Sequence, residues 1–508
     1  MSSTANRVIK NTGYLYAKMA ITMFVSLYTT RLILNALGAS DFGIYNIVGG
    51  AIAMLGFLNA AMASATQRFM SYAEGEGDKE KQKYIFNISV VLHAGIAIFV
   101  AVVLLVAGYF FFNGILNIPT ERIGAAKVVY LSLIISTLLT VMNVPYDAVM
   151  NAHENMRYYA LVGILESFLK LAVAFACVYA SGDKLIVYGV LMASIPLFTL
   201  SIMKVYCHKH YEECVIKPRI YWDVKLMKEM TTFAGWNLFG VTGSMVGNFG
   251  LGIVLNSFFG TILNAAFGIA NQLNGLLLTF SNAMLKALNP VIVKKEGEGS
   301  HESMMDISLS GCRFSFILFA VFCIPCFVEA PFVLRIWLKD YPEWTILFVR
   351  YQIVRTLLEQ TVIVLGTTLS ATGKVKEVNV LNLVIQLLPI VVVFVVFHFG
   401  ASPYWFYPIV IFDMVVVASG VRMFYCRKYC GLRVPEFIKT VLIPCVLMAT
   451  ITICVGWLIQ TTMQMGIVRF SLNTFVMTIL TCVFSFMMLS KNEKDIIKSL
   501  TAKLIIKR

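Results

Sequence analysis

Mostly apolar stretches of about 20 residues or more, the length a helix needs to cross a bilayer, recur fourteen times along this chain. They run at about 12–36, 43–66, 85–112, 123–148, 157–180, 184–206, 231–256, 262–290, 306–331, 343–369, 376–399, 403–425, 436–460 and 466–490. The polar loops between them are short, and no insert is long enough to fold as a soluble domain. The pattern predicts an all-α integral membrane protein with 14 transmembrane helices.

Charge orients these spans. With an even number both termini share a side, and Lys and Arg collect in cytoplasmic loops. The N-terminal segment, the even-numbered loops and the C-terminal tail hold 28 Lys and Arg, from Arg7 and Lys10 through Lys79, Lys81 and Lys83 to Lys507 and Arg508. The odd-numbered loops hold five, namely Arg122, Lys184, Arg335, Lys339 and Arg469. Both termini are therefore expected in the cytoplasm. The same asymmetry accounts for a net charge of +14, and with no basic run interleaved with aromatics no nucleic-acid partner is expected.

The tetrapeptide Glu-Gly-Glu-Gly stands at 74–77 and again at 296–299, an offset of 222 in the numbering. At that offset Ala61-Met62 falls on Ala283-Met284, and with a one-residue gap Leu34-Asn35 falls on Leu255-Asn256. At an offset of 219, Asn151-Ala152 and Arg157 fall on Ser370-Ala371 and Lys376. The copies are six spans apart, so they enter the membrane from the same side, as a parallel repeat about an axis along the membrane normal. The expected organisation is an N-terminal six-helix lobe (1–206), a cytoplasmic linker (207–229), a C-terminal six-helix lobe (230–425), and two extra helices with a basic cytoplasmic tail (426–508). Such repeats place a substrate cavity where the lobes meet.

A cavity needs polar faces. At about 100° per residue the eighth span sets Asn264, Asn271, Gly275, Asn282, Lys286 and Asn289 in one arc. The first span aligns Asn11, Tyr14, Lys18, Thr22 and Thr29; the tenth Arg355, Glu359, Gly366 and Ser370; the eleventh Asn379, Asn382 and Gln386. A watery lumen and helix packing through Asn and Gly both produce such stripes, and the lysine in the eighth favours a lumen. The seventh span, FAGWNLFGVTGSMVGNFGLG, suits a bendable gate, the preferred expectation, or close packing.

Within the spans, cations at Lys18, Arg31, Lys170, Lys286, Arg313, Arg350 and Arg355 outnumber carboxylates at Glu166, Glu329, Glu359 and Asp413. Glu166 and Lys170, four apart, are expected to neutralise each other, as are Arg355 and Glu359 in part. Arg31 and Arg350 lie near outer ends, where they either snorkel or serve a site. A surplus of positive charge suits an anion, and phosphate or pyrophosphate is the natural candidate.

Composition agrees: hydrophobic residues make up 59%, charged ones 13%, and mean hydropathy is +0.79. The eleven cysteines lie mostly in apolar stretches and imply no disulfide framework. Cys207-His208-Lys209-His210 with Cys214, and Cys426 with Cys430, have only loose metal-ligand spacing, so no metal is expected. Cys323 and Cys326 sit in an apolar helix, not beside a βαβ unit. No cofactor is implied. MSSTANRVIKNTGYLYAK lacks a short apolar core with a cleavage site, so the first span is expected to be permanent.

RLILNALGASDFGIYNIVGG (31–50), with its Leu-Gly-x-x-Asp-Phe-Gly pattern, resembles the first two helices of polysaccharide flippases. These belong to the multidrug, oligosaccharidyl-lipid and polysaccharide exporter superfamily, whose fold is a MATE-like pair of six-helix bundles. The resemblance implies movement of undecaprenyl-diphosphate-linked oligosaccharides across a bacterial cytoplasmic (inner) membrane, for O-antigen, capsule or exopolysaccharide assembly. It also implies contact with a polysaccharide polymerase and other assembly proteins, besides membrane lipid. Cationic lumen residues on helices 1 and 8 are a family trait, matched here by Lys18, Arg31 and Lys286. On this reading Lys18, Lys286, Arg31 and Arg355 hold the diphosphate, and Asn264, Asn271, Asn282, Asn379, Asn382 and Gln386 bond sugar hydroxyls. Glu359 and Asp413 are candidates for ion coupling.

Drug antiporters of the superfamily commonly couple ions through an Asp on helix 1, whereas here the first acidic residue is Asp41, at that helix's outer end. A MATE-type cation antiporter is the alternative. A membrane enzyme is not expected, because the outer loops are short and no acidic metal or base motif marks a membrane face. A fluorescent protein fused after Arg508 is expected to fluoresce, and alkaline phosphatase fused there to stay inactive; the opposite pair of results inverts the topology.

Overall fold

A computed structural model of the protein describes residues 2–53, 56–115, 118–338, 340–488 and 494. Lys339 and the basic tail at Lys491, Lys498, Lys503, Lys507 and Arg508 lie outside the described residues. The helices are α1 Ser2–Ala53, α2 Gly56–Glu76, α3 Lys79–Phe110, α4 Ile123–Ala152, α5 Met156–Tyr179, α6 Lys184–His210, α7 Val224–Gly297, α8 His301–Val328 and α9 Ala330–Leu338. They continue as α10 Thr345–Gln360, α11 Ile363–Ala371, α12 Lys376–His398, α13 Phe406–Ile411, α14 Ala418–Cys430, α15 Val434–Phe437, α16 Ile443–Thr462 and α17 Ile467–Met488.

Among the described residues twelve helices are long and apolar enough to cross a membrane. The two remaining expected spans are also helical. One, 43–66, contains two residues outside the description; the other, 343–369, is broken between α10 and α11. The chain forms two compact units, Asn11–Leu238 with Gly297–Gly299, and Phe239–Glu296 with the described residues from Ser300 on and before Asn11.

The repeat is written into the backbone. Inside α1 and α7 the helix breaks at Gly38 (φ 76, ψ 169) and Gly260 (φ 78, ψ −172), positions related by the same offset as the two tetrapeptides. Gly77 (φ 74) and Gly299 (φ 70) keep that spacing, and Glu154 (φ 54) and Gly373 (φ 77) keep the second, shorter one. Positive φ at a helix end lets the chain turn back while a short loop satisfies the last carbonyls, and glycine adopts it without strain. Side chains repeat too. Lys79 Nζ meets Glu74 Oε2 at 3.1 Å, and at the equivalent positions of the second copy His301 Nδ1 meets Glu296 Oε2 at 2.6 Å. The Cys207 thiol donates to the Tyr146 carbonyl (4.0 Å), and both partners recur at the shorter offset as Cys426 and Leu365 (3.5 Å). The two buried thiols thus tie α6 to α4 and α14 to α11, with no metal cluster among the described residues.

Each unit has its own core. In the N-terminal unit Ile44, Val48, Val100, Leu104, Val129, Tyr130 and Leu185 pack together, and the Tyr130 hydroxyl donates to the Leu104 carbonyl at 2.6 Å. In the C-terminal unit α17 is bonded to the rest through Glu329, which is 0% exposed, and α16 through Gln460, whose amide donates to the Val328 carbonyl at 2.8 Å. Arg469 NH2 reaches Glu329 Oε2 and Asn473 Nδ2 its Oε1, both at 2.8 Å. Glu329 is therefore a structural group with both oxygens engaged.

The glycines of the seventh span are accounted for by close packing. A Cβ at Gly243 would stand 3.1 Å from the Leu383 Cα, one at Gly247 2.6 Å from the Gln386 carbonyl oxygen, and one at Gly250 2.5 Å from Ile390. Helix α12 lies in this glycine groove, a small-residue contact of the kind that joins helices in lipid.

Gly38→Ala and Gly260→Ala are each expected to lower unfolding stability by about 1–3 kcal/mol, since their φ/ψ are nearly exclusive to glycine. Gly13→Ala, in open helical surroundings, should be neutral or slightly stabilising; thermal unfolding in detergent compares the three.

Candidate functional site

The polar stripe of the first span faces a neighbour in its own unit. Asn11 Nδ2 donates to the Glu154 carbonyl (3.0 Å), and the Thr22 and Ser167 hydroxyls bond at 3.0 Å. Lys18, between them, is partly exposed and lays its Nζ over the Tyr159 ring, 4.4 Å from the centroid. Its stem crosses α5 at Gly163, where a Cβ would overlap the lysine side chain. A cation held on an aromatic face keeps its charge while losing part of its hydration. Glu166 and Lys170, farther along α5, pair at 2.7 Å. Arg31 is exposed and lies about 20 Å from Lys18 along the axis of α1. The structure thus keeps the two cations of the first span apart.

In the C-terminal unit the stripe of the eighth span divides. Asn264 faces Gly252 and Asn271 Nδ2 donates to Asn248 Oδ1 (3.3 Å), so both meet the preceding helix. Asn289 Oδ1 accepts from the Thr367 hydroxyl at 3.0 Å. Between them Asn282 is exposed and Lys286 partly exposed. On α12, Asn379 lies against Gly240 and Gln386 against Gly243 and Gly247, while Asn382 is partly exposed. Arg355 Nε and Glu359 Oε1 stand 3.4 Å apart on α10. Asp413, in a π-helical stretch Phe412–Val417, is 4% exposed. All ten candidate binding residues keep partial or full exposure, and five of them, Lys18, Asn264, Asn271, Asn379 and Gln386, sit in helix seams.

A buried hub fixes the helix that carries Lys286. Gln360 Oε1 accepts from the Ser281 and Ser315 hydroxyls, each at 2.6 Å, at the point where α10 ends and the chain steps to α11. Thr368 donates to Ser308 at 2.8 Å one layer on. Such bonds join helices where hydrocarbon gives no hydrophobic drive.

Two clamps that the sequence reading did not single out hold the loops of the N-terminal unit. Arg122 binds Asp41 and Asp183 together, with Nε on Asp41 Oδ1 at 2.9 Å and NH1 on Asp183 Oδ2 at 2.7 Å. Asp183 also caps α6 through the Leu185 amide (3.0 Å), and the guanidinium beside it holds its carboxyl below the usual range. At the other end His153 Nε2 meets Glu213 Oε1 at 2.5 Å and Nδ1 meets Glu74 Oε1 at 3.4 Å, while the ring stacks on Tyr211. Burial alone would lower the His153 pKa, but Glu213 and Glu74 raise it to about 9. Asn87 holds the following strap by accepting from the Lys217 amide and donating to the Val215 carbonyl. The signal for the first clamp was present: Arg122 is one of only five cations in the odd-numbered loops, and both aspartates flank odd-numbered loops.

No protein-family model matches the chain. The uncharacterized membrane protein EpsK of Bacillus subtilis (strain 168) is 28% identical over 124 residues, a match spanning 24% of this chain and only 23% of that protein. Solved structures cover far more. A multidrug resistance MATE family transporter of the MOP superfamily, in an outward-facing conformation, aligns over 86% of this chain and 97% of its own, with TM-score 0.72 at 15% identity. A MATE in the bent conformation gives 0.73 over the same shares at 15% identity. The chain has the MATE fold. A MOP superfamily transporter from Pyrococcus furiosus, whose reverse polarity of binding pocket is said to suggest a different function, gives 0.71 at 14% identity, covering 84% of this chain and 96% of its own. At these identities the likeness is of fold, and the chemistry of this MATE-fold chain rests on its own residues.

Gly163→Leu is expected to expel Lys18 from its place on Tyr159 and so to raise amine-reagent labelling of Lys18 in detergent, read by peptide mass spectrometry, while Gly13→Leu leaves that labelling unchanged. For His153, the folded pKa lies above the ordinary 6.5, so its stabilising effect is full below pH 6.5 and is lost as pH rises through about 9. Melting temperature should fall over that window in the wild type and stay flatter in His153→Gln.

Proposed function

We propose that the chain is a flippase moving undecaprenyl-diphosphate-linked oligosaccharides from the inner to the outer leaflet of a bacterial cytoplasmic membrane by alternating access, for surface polysaccharide assembly. The observation that carries this reading is the chemistry of the first helix. It has a lysine, Lys18, seated between α1 and α5, and its first acidic residue, Asp41, is bonded to Arg122. A helix so equipped suits an anionic headgroup and leaves a cationic drug without a counter-charge. The Leu-Gly-x-x-Asp-Phe-Gly pattern at 37–43 supports the same family, and the Pyrococcus furiosus relative illustrates a pocket of other polarity on this fold.

On this reading Lys18 in the N-terminal unit and Lys286 in the C-terminal unit supply positive charge for the diphosphate, and the exposed Asn282 and partly exposed Asn382 supply amides for sugar hydroxyls. The polyprenyl tail stays in lipid. Polysaccharide polymerase and other assembly proteins are the partners this role requires, with both termini in the cytoplasm. The fold serves a cation antiporter equally well, and purified protein that couples drug efflux to proton or sodium flux would favour that alternative.

Deletion of the gene should accumulate lipid-linked oligosaccharide on the inner leaflet, and mass analysis of that lipid would identify the glycan. Lys286→Ala should abolish surface polysaccharide at unchanged protein level and melting temperature; normal polysaccharide in that strain removes Lys286 from the site.

A further inference from the structure

Carboxylates in the interior of this protein are paired. Glu329 has Arg469 and Asn473, Glu359 has Arg355, Glu213 has His153, and Glu74 has His153, Lys79 and Gln82. Asp413 is different. Among the described residues it is the one carboxyl group with both oxygens out of contact with solvent and without a hydrogen-bond partner, and it forms no ion pair. A bare negative charge in that position is strongly disfavoured, so the group is stable there when a single positive charge neutralises it.

The backbone around it is irregular on two helices. Asp413 belongs to the π-helical stretch Phe412–Val417, and π-bulges free backbone groups from the regular ladder. Helix α12, packed against that stretch, has Pro389 inside it, which removes the amide that would otherwise bond the Ile385 carbonyl. Counting at 1.5 Å per residue from the turn between His398 and Pro403, Pro389 and Asp413 both lie about 14 Å into the unit. Two helix defects and an unpartnered carboxyl group thus stand at one level, well inside a membrane-spanning bundle.

We propose that Asp413 is a proton-binding site, neutral in this conformation, whose proton exchanges when the defects in α12 and Phe412–Val417 open it to water. The groups that face this level are few. Between Glu377 and His398, α12 has no titratable residue. Helix α10, also packed against the stretch, brings Arg350, Tyr351, Arg355 and Glu359, of which the last two pair with each other. The helix of Asp413 itself carries Tyr407, one and a half turns before it, and Arg422, more than two turns after. Arg355 has Glu359 beside it at 3.4 Å, and among the described residues no cation stands within ion-pair distance of Asp413, which leaves that group to the proton. Of the two carboxylates considered for ion coupling, Asp413 is the exchangeable one and Glu359 the structural one. The inference rests on the flippase reading only for the use to which the proton is put, as the driving ion of transport.

The test is dicyclohexylcarbodiimide labelling of the purified full-length wild-type protein, read by peptide mass spectrometry. This reagent modifies a carboxyl group that is protonated in apolar surroundings. The expected result is an adduct on the peptide carrying Asp413, falling about tenfold per pH unit above its titration midpoint, equal in NaCl and KCl, and absent from Asp413→Asn. Absence of an adduct at Asp413, or labelling that does not change with pH, overturns the proposal. Suppression by NaCl but not by KCl at constant pH also overturns it, by making the site one for sodium. None of these readouts uses a lipid-linked sugar, so they stand or fall apart from the flippase assay. In cells, Asp413→Asn should retain protein level and melting temperature and lose export; unimpaired export would remove the proton from the transport cycle.

Discussion

A polar group that enters hydrocarbon must find its partner within the protein, and that requirement organises nearly everything in this chain. It explains why the buried ionic groups come as bonded sets, such as Glu329 with Arg469 and Asn473, rather than as isolated charges. It explains why Gln360 gathers two serine hydroxyls at the break between α10 and α11, where the backbone ladder is interrupted. The thiol-to-carbonyl contacts of Cys207 and Cys426 are small instances of the same demand. Where the demand is unmet at both oxygens of one carboxyl group, as at Asp413, the exception is informative, because a whole charge-bearing group goes without a partner.

The repeat was legible in the sequence because it is carried by residues with backbone tasks. Glu-Gly-Glu-Gly survives at both places since Gly77 and Gly299 take a left-handed conformation and the glutamates hold Lys79 and His301 five residues on. Gly38 and Gly260 obey the same spacing for the same reason, although no tetrapeptide marks them. The change of offset from 222 to 219 lies between the pairs Gly77/Gly299 and Glu154/Gly373, so three residues differ within the stretch that contains the third and fourth helices and their counterparts. Twelve of the fourteen expected spans were legible from hydropathy alone. The break at Thr361 and Val362 was not, because apolar residues continue across it and only the bonds of Gln360 reveal why it is there.

The candidate site was legible only to the level of a helix face. Periodicity says that Asn11, Lys18 and Thr22 share a side, but not whether that side meets water or another helix, since both need polar or small residues. The first helix proves to meet α5 through Lys18 and Thr22 and the turn before α5 through Asn11. Asn264 and Asn271 likewise meet the helix before them. The clamps at Arg122 and His153 escaped because their partners lie 60 or more residues away, and no local spacing encodes such a contact.

The two units close one equivalent seam in opposite ways, and this bears on how the copies came to differ. In the N-terminal unit the first helix offers Lys18 and Thr22, and α5 answers with Gly163 and Ser167. In the C-terminal unit the positions equivalent to Lys18 and Thr22 by the repeat are Gly240 and Ser244, and the helix that meets them offers Asn379, Leu383 and Gln386. The small residue has changed sides. A seam of fixed width tolerates that exchange, because the sum of the two side chains matters more than which helix carries the larger. The exchange has a chemical consequence: the first copy keeps a lysine near its surface, while the second has glycine there and keeps an unpaired acidic group, Asp413, in a stretch that also packs against α12. A duplication that began with like halves has thereby left a lysine on an aromatic face in one unit and an unpaired carboxyl group in the other.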